Sequence, residues 1–130
     1  METLITLNNT VSISKVKTNI EKFTQSAEII INEEDNLFKE HFPGMPTLPG
    51  AFIASIIMRL DNGFFQKMGV ENVKLNNIQK LSFLKRIIPA KNIAFYLHCN
   101  YRLEQNKWLT NVDITDVAGN LCSKGFFIYM

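Results

Sequence analysis

Cysteine is scarce. Cys99 and Cys122 are the only two, 23 positions apart and with no CxxC neighbour. That spacing argues against a zinc site or a disulfide framework and leaves two buried thiols in a reducing compartment as the expectation. A dominant charge is lacking as well: 14 Lys and Arg stand against 12 Asp and Glu, a formal +2. So small a bias gives no argument for a nucleic-acid partner. Long hydrophobic runs are missing too. The longest, residues 51–58, is broken by Ser55 and falls far short of the ~20 residues that cross a bilayer. Met1-Glu2-Thr3 has neither the basic nor the apolar region of a secretory signal. The expectation is a single cytoplasmic domain spanning residues 1–130, with no metal, no cofactor, no nucleic acid and no membrane segment.

Proline and glycine are few but unevenly spread. Three of the 4 prolines, Pro43, Pro46 and Pro49, fall close together and are joined by Gly44 and Gly50. Fixed φ angles mixed with permissive glycines predict a stiff, irregular loop. Residues 51–60 follow, apolar on nearly all sides, with Pro49 placed for a first helical turn. Such a helix belongs at the centre of the fold. Its polar stripe is Ser55, Arg59, Asn62 and Gln66, one face aimed at solvent, a partner or a site; Gly63 and Gly69 predict fraying and an end.

Strands account for the rest. Ile93, Phe95, Leu97, Cys99 and Tyr101 alternate with polar neighbours including His98, and Trp108, Thr110, Val112 and Ile114 do the same. Ala118-Gly119-Asn120 is turn material before a final strand over residues 121–129. Further strands are expected over residues 11–16, 26–32 and 73–85, the last before Pro89. Hairpin-linked strands with one buried helix predict an α+β domain whose antiparallel sheet curls around that helix.

The chemistry concentrates in residues 36–50, NLFKEHFPGMPTLPG. His41 sits on the stiff loop, and the loop runs into the start of the buried helix. The first backbone N–H groups of a helix, that of Gly50 included, have no intrahelical partner and carry partial positive charge. They are suited to a carbonyl oxygen that becomes negative during reaction. An imidazole titrates near neutral pH, and a base beside an oxyanion site is what removal of a proton α to a thioester carbonyl requires. A plain structural role for His41, hydrogen-bonding its own loop, is the alternative.

The pattern His-Phe-Pro-Gly-x-Pro-x-x-Pro-Gly over residues 41–50 resembles the active-site segment of the β-hydroxyacyl-acyl carrier protein dehydratases, the FabZ and FabA type with a hot-dog fold. Residues 80–89, KLSFLKRIIP, look like that family's basic, Phe-containing strand. The resemblance implies a hot-dog fold, with an antiparallel sheet wrapped around one long central helix. It also implies paired protomers, each site combining the loop histidine of one with a helix acid of the other. His41 would be the base and the Gly50 amide the carbonyl-polarising donor. The Thr47 carbonyl would orient the imidazole, and Phe42, Ala51, Arg59 and Phe83 would line the acyl path. Lys80, Lys85, Arg86 and Lys91 would form a basic rim for docking an acidic acyl carrier protein; a merely solvated rim is the alternative.

One position departs. The family's acid lies fourteen residues beyond the histidine, where this chain has Ser55. A hydroxyl cannot supply the acidity of a carboxylic acid. Arg59 stands where the family often has Gln; it could bind an anion, or pair with Asp61 or Glu71. Asp61 is rotated away from the Ser55 face and is a poor substitute acid. Three readings follow: a dehydratase acting on acyl carrier protein or coenzyme A thioesters; an impaired subunit that pairs with a related hot-dog chain, as heterodimer rather than homodimer; or an acyl thioesterase.

Overall fold

A computed structural model describes residues 5–7, 11–31, 50–85, 87 and 94–130. Among these described residues, seven strands and one helix follow in order: β1 (Ile5–Leu7), β2 (Val11–Asn19), β3 (Thr24–Ile31), α1 (Gly50–Lys67), β4 (Leu75–Phe83), β5 (Ala94–Glu104), β6 (Lys107–Thr115) and β7 (Leu121–Tyr129). The strands form one antiparallel sheet ordered β1-β2-β3-β5-β6-β7-β4. The expected α+β architecture is present, with strand boundaries within a few residues of those read from alternation. The three-residue β1 is an addition, too short to carry a periodic signal of its own.

Local chemistry explains the turns. Gln105 and Asn106 both have positive φ, 51° and 64°, the backbone of a two-residue type I′ turn between the paired Glu104 and Lys107. Asp116 organises the β6–β7 turn by accepting hydrogen bonds from the amides of Ala118 at 3.0 Å and Asn120 at 2.9 Å, while Gly119 takes φ 86°. In β2 a bulge between Ser14 and Lys17, with Lys15 at φ 53°, bends the strand.

The helix is longer than its apolar run. It passes through Gly63 without fraying and stops at Gly69, where φ reaches 71°. There the Val70 amide bonds to Phe65 O at 2.9 Å and the Gly69 amide to Gln66 O at 3.1 Å, a Schellman cap. No helix among the described residues is long and apolar enough to cross a membrane.

One face of α1, carrying Ile53, Ile56, Ile57, Leu60, Phe64 and Phe65, is buried against the inward side chains of the sheet. The Phe64 ring stacks on Tyr101 with centroids 3.8 Å apart and planes 5° apart, and meets Trp108 edge-on at 6.1 Å. Cys99 and Cys122 are buried free thiols. His98 is exposed, and so is the whole predicted stripe of Ser55, Arg59, Asn62 and Gln66.

Because the Phe64 side chain is wholly buried between helix and sheet, Phe64→Ala is expected to lower stability by about 3–5 kcal/mol, measured as the shift in urea midpoint multiplied by an unchanged m-value.

Candidate active site

His41, Phe42, Thr47, Arg86 and Lys91 lie outside the described residues. The remaining sequence-derived candidates fall into three groups: at the start of α1, along its outer face, and, for Lys80 and Lys85, on and just after β4.

At the helix start the sheet meets the helix directly. A Cβ built on Gly50 would lie 2.8 Å from Phe83 Cζ, so the ring at the end of β4 rests on the bare backbone of the first helical residue. Gly50 and Phe83 share no local sequence signal, yet the fold places them in contact. The ring is 56 % exposed, an apolar cover beside the first-turn amides, which have no intrahelical partner. Ala51 is exposed in that same turn.

Ser55 comes one turn later and is exposed. Its Oγ donates to the carbonyl of Ala51 at 3.0 Å, a helix-internal bond typical of Ser. In this arrangement the hydroxyl proton is directed at the helix backbone. Ser55 can accept a hydrogen bond from a water or a substrate hydroxyl, but it does not present an acidic proton. Arg59, a further turn along, is exposed and borders an open pocket of about 730 Å³. It forms no ion pair with Asp61 or Glu71; the ion pairs among the described residues are Lys15–Glu28, Lys85–Asp116 and Arg102–Glu104. Of the basic rim, Lys80 is exposed on β4, whereas Lys85 is bonded to Asp116 Oδ2 at 3.1 Å.

What the sequence reading passed over is the surrounding of Asp61. This carboxylate is wholly inaccessible, on the core side of α1. Tyr101 donates to its Oδ1 at 2.9 Å, and Tyr129 donates to its Oδ2. Gln25, also buried, donates from Nε2 to Leu60 O at 2.7 Å and to the Tyr101 hydroxyl at 3.2 Å. Burial pushes the Asp61 pKa up to about 7, against the opposing pull of the Tyr129, Tyr101 and Thr110 hydroxyls. Thr110 Oγ1 itself makes no hydrogen bond of ordinary geometry. Burial likewise raises both tyrosines and the Cys99 thiol. The cluster is an interior lock, closed off from substrate. A signal for it existed: an Asp set between Leu60 and Phe64 on an apolar helix face, and two tyrosines at inward positions of their strands.

Two expectations follow. The folded state holds a proton on Asp61 that the unfolded chain, with its ordinary carboxylate pKa near 4, gives up. The contribution of Asp61 to stability is thus fully present below pH ~4 and is lost as pH rises to about 7. Urea titrations across that range should slope downward in the wild type by on the order of a few kcal/mol, at ~1.4 kcal/mol per pKa unit, and Asp61→Asn should flatten the slope. In Gly50→Ala the added methyl meets the tip of a movable ring rather than backbone, so the melting temperature should hold nearly constant while Phe83 is displaced, read as increased mobility of its ring resonances by NMR.

A FabZ 3-hydroxyacyl-[acyl-carrier-protein] dehydratase of Enterococcus faecalis is 32% identical over 73 residues, 54% of this chain and 49% of that protein, so the match spans about half of the curated relative. Among solved structures, the dehydratase heterocomplex ApeI:P of Xenorhabdus doucetiae superposes with a TM-score of 0.62 at 17% identity, covering 83% of this chain and 88% of that one. Thioesterase superfamily member 2 of Mus musculus superposes with a TM-score of 0.66 at 14% identity, over 92% and 80% of the two chains. At such identities the structural likeness speaks for the fold, and the fold is the hot dog. The family model described as ApeI-like, ApeI dehydratase, matches residues 16–125. With most of its length matched in this way, and with one helix held in a curled antiparallel sheet, the chain belongs to the ApeI-like dehydratase family.

Proposed function

We propose that this chain is a 3-hydroxyacyl-thioester dehydratase subunit whose active site is completed by a helix acid from a related hot-dog partner. The observation that carries the reading is Ser55: at the position where the resembled family has its acid stands a hydroxyl already donating to Ala51 O at 3.0 Å. His41 supplies the base. It takes the proton α to the thioester carbonyl, and the negative charge that develops on the carbonyl oxygen is held by the Gly50 amide at the start of α1. The β C–O bond then breaks, and the hydroxyl leaves as water after receiving a proton from the partner's helix acid. Thr47 orients the imidazole, and Phe42, Ala51 and Phe83 flank the acyl chain.

Support for a mixed pair comes from the relative solved as an ApeI:P heterocomplex. Among the described residues β4 stands at the sheet edge, next to exposed Ile78 and Phe83, which suits sheet extension by another protomer. An acidic acyl carrier protein would dock at Lys80, Arg86 and Lys91, with Lys85 already partly neutralised by Asp116. The buried free thiols fit a reducing cytoplasm.

The test is mass spectrometry of a 3-hydroxyacyl carrier protein incubated with the chain alone and with a hot-dog chain that carries a helix carboxylate. Loss of water is expected chiefly in the mixture. His41→Ala should lower it by ~10²–10⁴-fold, the usual worth of a general base, and Ser55→Glu should raise the activity of the chain alone. Dehydration that survives His41→Ala, or release of free acid in place of loss of water, would overturn the reading.

A further inference from the structure

Arg59, Gly63 and Lys67 recur every fourth residue along α1 and so form one row on its outer side. The row borders the pocket of about 730 Å³, whose opposite wall is Val16 and Gln25 of the β2–β3 hairpin. This volume is in the range of small-molecule sites. Two positive charges enter it and, among the described residues, no carboxylate does: none of the lining residues is acidic, and no described carboxylate pairs with Arg59 or Lys67.

Lys67 is aimed rather than loose. Its Nζ donates to Thr18 Oγ1 at 2.8 Å, and that hydroxyl donates to Gln25 Oε1 at 2.8 Å. Gln25 is only 2% exposed and is anchored to Leu60 O, so the ammonium is positioned from the core, and among the described residues no carboxylate neutralises it. Between the two cations stands Gly63. A Cβ there would meet nothing within 4 Å, so no packing constraint demands glycine, although glycine inside a helix costs about 1 kcal/mol relative to alanine. What it leaves is an open floor midway along a row ~12 Å long, over which the two long side chains can converge. The side-chain amides of Asn62 and Gln66 flank that floor.

We propose that this pocket binds a small phosphate monoester, its phosphate held over Gly63 between Arg59 and Lys67. Two cations match the charge of roughly −1.5 to −2 that a phosphomonoester carries at pH 7. The planar guanidinium pairs with two phosphate oxygens at once, and the flanking amides supply further donors. The assignment rests on the pocket, which shares Arg59 with the acyl path implied by the family resemblance, and its binding test does not depend on dehydratase activity.

Calorimetric titration of the full chain with inorganic phosphate and with glycerol 3-phosphate, at ionic strength held constant with sodium chloride, tests it. Saturable binding is expected, with the ester binding at least as tightly as phosphate. Arg59→Gln and Lys67→Gln should each weaken it tenfold or more. Gly63→Met, which places a side chain in open space, should abolish it with an equal or higher melting temperature. Arg102→Gln, which removes a surface cation paired with Glu104, should bind like wild type. Heats no larger than those of added chloride, binding of inorganic phosphate alone, or undiminished binding in Gly63→Met would each refute the proposal.

Discussion

The hydrogen bonds that converge on Asp61 set the rotation of α1 about its own axis. Tyr101 comes from β5 and Tyr129 from β7, with β6 between them, and both hydroxyls reach one carboxyl of the helix. Apolar packing alone tolerates small rotations of a helix in a greasy groove, whereas a buried carboxyl with two partners does not, because losing either partner leaves an unsatisfied polar group. With that side of the helix pinned, the outward row of Ser55, Arg59, Gly63 and Lys67 is fixed as well. So is the meeting of Gly50 with Phe83 at the helix start. The interior polar cluster is buried away from the surface, yet it helps fix the geometry of the exposed residues on α1.

Much of this fold is legible in the sequence because its signals are local. Alternation such as Phe95, Leu97, Cys99, Tyr101 marks a strand within a few residues, and a polar stripe at helical spacing marks the outer side of α1. Contacts between distant residues are not written locally. Tyr101 and Tyr129 lie 40 and 68 positions beyond Asp61, and only the sheet order brings β5 and β7 to the same point of the helix. Phe83 over Gly50 is of the same kind. Gly63 misled for a different reason: low helix propensity reads as fraying, but propensity is weak against a helix already held by Phe64, Phe65 and the Schellman cap at Gly69. Of the candidate site, the loop motif and the serine at position 55 are readable; the hydrogen bond from Ser55 to Ala51 is not.

The two sides of α1 divide the work of the molecule. Its buried row decides that a sheet can close around it, and that requirement is met by any set of apolar side chains of suitable volume. This is why structures at 14–17% identity, from a dehydratase complex to a thioesterase, share the same architecture. The exposed row and the first turn are under no such packing demand. A serine at position 55 costs the helix little, since its hydroxyl finds a partner one turn back. Reaction chemistry on this scaffold is therefore set by a few outward residues that stability does not constrain. In this chain those outward residues include a hydroxyl at position 55 and two cations, Arg59 and Lys67, with no carboxylate in the row they share.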